Sequence, residues 1–194
     1  MGKLIVVVGP SGVGKTTLVH SLSKAAPFAT AYEEHAGRPF QSLFKNDARF
    51  ALANQVDYLL LRAEQEKELR SSSLRGLMDG GLDLDYHGFA HLFHARGFLT
   101  EADFNLCRRV YELARALLPA PELIVALTAS EEVIRERLSA RQRINIASAE
   151  DTALFNSFLE AWLVQVPGKN LLRLDTSRED PTYARGVKKI LEMI

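Results

Sequence analysis

The strongest constraint sits at the start of the chain. Leu4-Ile5-Val6-Val7-Val8 is an unbroken apolar run, as expected of a strand buried on both faces. It leads directly into Gly9-Pro10-Ser11-Gly12-Val13-Gly14-Lys15-Thr16, which fits G-x-x-x-x-G-K-[ST] at every fixed position. A helical stretch follows from Lys15 to Lys24. Strand, glycine loop and helix in that order form a phosphate cradle. Glycines let the backbone turn its N–H groups inward, and the helix adds the positive end of its dipole. The expected nucleotide contacts are Gly9, Ser11, Gly12, Val13, Gly14, Lys15, Thr16 and Thr17. Lys15 supplies a point charge to the outer phosphates, and the Thr16 hydroxyl suits Mg²⁺.

The rest of the chain alternates strands and helices. Further strands are expected at Phe28 to Tyr32, Leu74 to Met78, Leu123 to Leu127 and Leu171 to Leu174. Helices are expected at Arg49 to Leu69, Asp85 to His94, Ala102 to Leu117, Ser130 to about Ala140, from Ser148 onward, and Thr182 to Met193. Thr100 with Asp103 three residues later has the pattern of a capping box. Five apolar strands separated by helices imply a parallel sheet covered on both faces, with ligands at the carboxyl ends of the strands.

Composition removes several alternatives. With 24 basic and 24 acidic residues the formal charge is zero, so no overall basic footprint for nucleic acid exists. No apolar run approaches the ~20 residues that a membrane-spanning helix needs. A single cysteine, Cys107, excludes an internal disulfide framework. A cytoplasmic location is expected. Length and composition fit a single domain over residues 1–194.

Other signals carry less weight by themselves. Asp79 ends the third apolar run, where an acid commonly partners Mg²⁺ in phosphate-loop proteins. Arg135, Arg137, Arg141 and Arg143 place four arginines within nine residues. Such a cluster neutralises charge on a transferring phosphoryl group, or forms a solvated helix face beside Glu131, Glu132 and Glu136. His87, His91 and His94 lie on one helix without a convincing third metal ligand and are read as packing residues. Cys107 is read the same way.

In their order along the chain, these features resemble the deoxynucleoside kinase family. The resemblance rests on Tyr32-Glu33-Glu34, Pro39-Phe40 and the stretch from Phe50 to Arg62. It also rests on Asp79, Asp85 with Phe89-Ala90, and Arg137-Leu138 with Arg141-Gln142-Arg143. It implies an α/β P-loop kinase fold, with a five-stranded parallel sheet, helices on both faces and an arginine-rich lid at about 137–148. It implies ATP and Mg²⁺ as cofactors, with Thr16 and Asp79 at the metal. Glu33 would accept the proton of the acceptor hydroxyl. Lys15, Arg137, Arg141 and Arg143 would serve the transferring group, and Gln55, Arg62 and Asp85 would read the base. Family members pair through long helices, so a homodimer is implied. The polar stretch Thr176 to Asp180 corresponds to the loop that touches the donor base.

Three departures from the family pattern stand out. Gly80 and Gly81 stand where Arg-Ser usually follows the strand-end acid, and Arg38 is the nearby candidate to replace that arginine. Phe44 stands for a tyrosine, and Ile146 for a lid glutamate; in the family these two hold the sugar 3′-hydroxyl. Three functions therefore stay open. One is phosphoryl transfer from ATP to a hydroxyl of a nucleoside-like small molecule. The others are a nucleotide-binding regulator on a degenerated kinase frame, and a P-loop kinase for a different acceptor.

Overall fold

A computed structural model describes residues 2–32, 38–139, 149–180 and 182–194. Five strands, β1 (Leu4–Val8), β2 (Ala29–Ala31), β3 (Gly76–Asp79), β4 (Leu123–Thr128) and β5 (Leu171–Asp175), form one sheet in the order β2-β3-β1-β4-β5. Every pairing is parallel. All five strands therefore deliver their carboxyl ends to one edge of the sheet.

The helices are α1 (Lys15–Ala25), α2 (Pro39–Asn46), α3 (Ala51–Ser71), α4 (Leu82–Leu84), α5 (His91–Ala95), α6 (Glu101–Leu117), α7 (Glu131–Ser139), α8 (Ala149–Leu163) and α9 (Ala184–Met193). A π-helical turn, Asp85–Ala90, joins α4 to α5. Side chains alternate across a strand, so β1 feeds two cores. Leu4, Val6 and Val8 join the layer built by α3, α5, α6 and α8, with Leu59, Leu92, Cys107 and Leu159. Ile5 and Val7 join Leu18 and Leu22 of α1 and Ile190 of α9. Apolar residues at consecutive β1 positions are thus explained by helices on both faces.

Local signals account for most boundaries. Thr100 and Asp103 form the expected capping box, with Oγ1 accepting from Asp103 N and the Asp103 carboxylate accepting from Thr100 N. Ser130 Oγ accepts from Val133 N at 3.4 Å at the start of α7. One helix, α2, goes beyond the sequence reading. Its signals are nonetheless present: Pro39 in the first turn, and the apolar set Phe40, Leu43 and Phe44 at helical spacing. The helix expected from Asp85 begins three residues earlier, at Leu82, and passes through the π turn. Its start is set by the turn at Gly80 and Gly81, whose φ values are 80° and 145°.

Candidate active site

The phosphate loop lies between the carboxyl end of β1 and α1. Gly9, Gly12 and Gly14 have φ of 144°, 83° and 105°, which L side chains rarely adopt. A Cβ at Gly14 would stand 1.9 Å from the Tyr183 hydroxyl oxygen, and one at Gly9 would stand 2.7 Å from the Leu127 carbonyl oxygen. Among the described residues no side chain caps α1, which leaves its first N–H groups without a side-chain acceptor. The Lys15 ammonium lies across the loop, donating to the carbonyls of Gly9 at 3.0 Å and Pro10 at 3.1 Å.

β3 pairs with β1 in the register Val7↔Asp79, which sets Asp79 beside the loop. The Thr16 hydroxyl donates to Asp79 Oδ2 at 2.5 Å. Asp79 is fully buried, and its Oδ1 has no hydrogen-bond partner among the described residues. A buried carboxylate oxygen with capacity to spare, next to a hydroxyl, is a hard-oxygen donor set that fits Mg²⁺.

A second group lies immediately behind Asp79. Gln55 and Arg62 are two turns apart on α3, and both are buried. Gln55 Nε2 donates to the Asp85 carbonyl at 2.8 Å, and Arg62 Nε donates to Asp85 Oδ2 at 2.8 Å. Arg62 Nη1 also donates to Gln65 Oε1 at 3.1 Å. The three residues expected to act together are therefore in contact, with Asp85 holding Arg62. The guanidinium also rests on Gly80, where a Cβ would meet Arg62 Nη2 at 3.1 Å. At Gly81 a Cβ would lie 2.7 Å from Val6 Cγ1. Gly80 thus leaves space for an arginine from α3 beside the end of β3, while Gly81 leaves space for Val6 of β1.

Arg38 pairs with Asp57 Oδ2 of α3 at 2.8 Å, with its guanidinium 5.8 Å from the Tyr58 ring centroid. Phe44 turns into an aromatic cluster, edge-on to Phe93 at 5.1 Å and Phe98 at 5.6 Å. Glu33, Arg141, Arg143 and Ile146 lie outside the described residues. Arg137 lies on α7 against the phosphate loop. It donates through Nη1 to the Val13 carbonyl at 3.0 Å and through Nη2 to the Thr176 carbonyl at 2.9 Å.

Several buried charges escaped the sequence reading. Glu66 accepts from Arg70 at 2.8 Å and from Arg115, while Tyr111 donates to Asp83 Oδ1 at 2.8 Å. Burial pushes the Asp83 carboxyl upward, against the Arg115 charge. His87 Nε2 lies 3.1 Å from the Tyr111 hydroxyl and its ring stacks on Trp162. Burial pushes the His87 imidazole down to about 4. His87 is thus a packing residue, and no group of three metal-ligating side chains occurs among the described residues. Cys107 is fully buried, with its thiol pushed up to about 11 by burial. The i,i+4 spacing of Glu66 and Arg70 was the available signal for this network; Asp83 and Arg115 had none.

A parallel α/β sheet with a glycine loop after β1, a lysine across it and a strand-end acid beside it defines a P-loop nucleotide-binding protein. Residues 5–180 match the deoxynucleoside kinase family model, and the chain belongs to that family. It is 27% identical over 143 residues to the deoxyadenosine kinase of Dictyostelium discoideum, a match covering 73% of this chain and 58% of that protein. It is 27% identical over 143 residues to the deoxyadenosine/deoxycytidine kinase of Bacillus subtilis, covering 72% of this chain and 66% of that protein. The matched stretch thus spans less than two thirds of each of these two relatives. The fold is that of M. mycoides deoxyadenosine kinase, solved with dCMP and a flexible dCDP bound. That match has a TM-score of 0.83 and 20% identity, over 98% of this chain and 100% of that one.

Proposed function

We propose that the protein transfers the γ-phosphoryl group of ATP to a hydroxyl of a nucleoside-like small molecule. One observation carries this reading. Asp79 touches the phosphate loop through Thr16, and the next residue, Gly80, carries the Arg62 guanidinium of the Gln55–Arg62–Asp85 group. A donor-phosphate site and a polar acceptor site therefore meet at adjacent backbone positions, as group transfer requires.

In this reading the loop N–H groups and Lys15 hold the donor phosphates. Thr16 and Asp79 hold Mg²⁺, which when bound neutralises charge on the outer phosphates. Gln55 and Arg62 orient the acceptor, and Asp85 fixes Arg62. Glu33 orients the acceptor hydroxyl and takes its proton, a role assigned through the family resemblance. Arg141 and Arg143, together with Arg137, serve the transferring group, a role assigned through the family resemblance. The reading includes a single domain and a cytoplasmic location. No helix among the described residues is long and apolar enough to cross a membrane.

A second copy is the proposed partner. α3 exposes Leu60, and α6 exposes Leu106, Leu113 and Leu117 at spacings that form one stripe. A polar helix surface would leave these positions charged.

A thermal-shift series tests the acceptor. Deoxynucleosides, ribonucleosides and analogues are added with Mg²⁺ and a non-hydrolysable ATP analogue, and native-state binding raises the melting temperature. The reading expects a rise with at least one nucleoside. A rise with nucleotide alone would move the protein to the regulatory class or to another acceptor.

A further inference from the structure

α7 does not stand clear of the phosphate loop. A Cβ at Gly12 would meet Leu138 Cγ at 3.0 Å and the Ile134 carbonyl oxygen at 3.3 Å, so the helix rests on the loop backbone. One turn of α7 then supplies Arg137. Its guanidinium donates to the Val13 carbonyl at 3.0 Å, to Thr176 Oγ1 at 3.3 Å and to the Thr176 carbonyl at 2.9 Å. Thr176 follows β5 and is fully buried. Its hydroxyl donates to the same Val13 carbonyl at 2.8 Å, with the Thr128 carbonyl 3.1 Å away as its alternative acceptor. Its own N–H is fixed to Thr128 O at 2.8 Å, which ties it to the end of β4.

Both partners converge on one loop carbonyl. A trans peptide is planar, so the Val13 C=O and the Gly14 N–H point in opposite directions. Pulling the carbonyl outward, toward Arg137 and Thr176, aims the Gly14 N–H toward the opposite, phosphate-facing side of the loop. Gly14 has φ of 105°, and only glycine takes that value at little cost, so intrinsic preference does not fix this peptide. The outside contacts must fix it.

We infer that Arg137 and Thr176 are positioning residues of the phosphate loop: together they hold the Val13 carbonyl and so preset the Gly14 N–H for the donor phosphates. This rests on the loop being a phosphate site, as proposed above. Arg137 acts here through its planar fork of donors rather than through its charge. An arginine acting by charge alone would need neither the fork nor Thr176.

The test uses the full chain, tripolyphosphate as a probe without base or sugar, and two readouts. Calorimetry gives affinity, and glycine-selective ¹⁵N labelling follows the Gly14 amide proton. In the wild type the probe should bind and shift that proton downfield. Thr176→Val keeps the shape and every charge, and Arg137→Lys keeps the charge but loses the fork. A hydrogen bond to a charged donor is worth about tenfold or more, so Arg137→Lys should bind the probe roughly 10- to 100-fold more weakly. Thr176→Val should bind it roughly 3- to 10-fold more weakly. Both should lose much of the Gly14 shift, and the double variant should lose less than the product of the two. Wild-type affinity and an unchanged Gly14 shift in both variants would overturn the inference, even with lowered melting temperatures. A loss confined to Arg137→Met, with Arg137→Lys and Thr176→Val unchanged, would overturn it in favour of charge. A wild type that does not bind the probe would instead reject the phosphate-site reading itself.

Discussion

Removing the carboxylate of Asp85 should expose how the acceptor side is held. Arg62 and Asp85 are only 1% and 6% exposed at their side chains, and their ion pair is 2.8 Å long. Asp85→Ala leaves a guanidinium in that site with Gln65 Oε1, a neutral acceptor, at 3.1 Å. Breaking a buried pair by deleting one partner costs about 3–5 kcal/mol, because that contact no longer offsets the desolvation of the group that remains. For a chain of this size that corresponds to a melting temperature lowered by roughly 10 °C. Replacing both residues, Asp85→Ala with Arg62→Met, removes both charges of the pair and should recover most of the loss. Urea unfolding of the wild type, both single variants and the double variant measures the coupling. A coupling below about 1 kcal/mol is typical of an exposed pair and would refute the reasoning. The stabilised double variant should still fail to recognise an acceptor, which separates the structural part of the pair from its functional part.

Three other outcomes follow from the same geometry. Lys15→Ala should abolish nucleotide binding and phosphoryl transfer while costing little stability, since its two bonds go to carbonyls of its own loop; circular dichroism and a nucleotide titration check both halves. His87 is held neutral by burial at about 4, against 6.5 when exposed. The unfolded chain therefore binds the extra proton first, so its contribution is complete above pH 6.5 and is lost as the pH falls toward 4. The loss is at most about 3 kcal/mol, and urea midpoints across that range should flatten in His87→Phe. Leu113→Glu together with Leu117→Glu should convert a dimer to a monomer in sedimentation experiments. A wild type that is already monomeric would reject the proposed pairing.

How far the sequence reached depended on the range of each contact. The phosphate loop is one local run, and its partner Asp79 announces itself as an acid at the end of an apolar strand. Their meeting at 2.5 Å needed only the parallel register of β1 and β3. The capping box at Thr100 is equally local. Arg62 is different. Its place on α3 was readable, but its rest on Gly80 depends on how α3 crosses the end of β3, and no pattern in either segment encodes that crossing. Gly80 read as a loss; in space it is an opening against which Arg62 rests. Arg137 carried the same expectation as Arg141 and Arg143, and its contacts with Val13 and Thr176, far away along the chain, were not legible in the residues around it. Glu66, Arg70 and Arg115 look like surface charges in sequence; Glu66 and Arg70 are buried and Arg115 half-buried because α3 and α6 pack face to face.

The proposed activity is transfer of a phosphoryl group between two sites joined at Asp79 and Gly80. Incubation with [γ-³²P]ATP, Mg²⁺ and individual nucleosides tests it most directly, with Lys15→Ala as the control. The account predicts a labelled nucleoside monophosphate with at least one acceptor, dependent on Mg²⁺ and absent in the control. Tight ATP binding without label transfer to any nucleoside would contradict it.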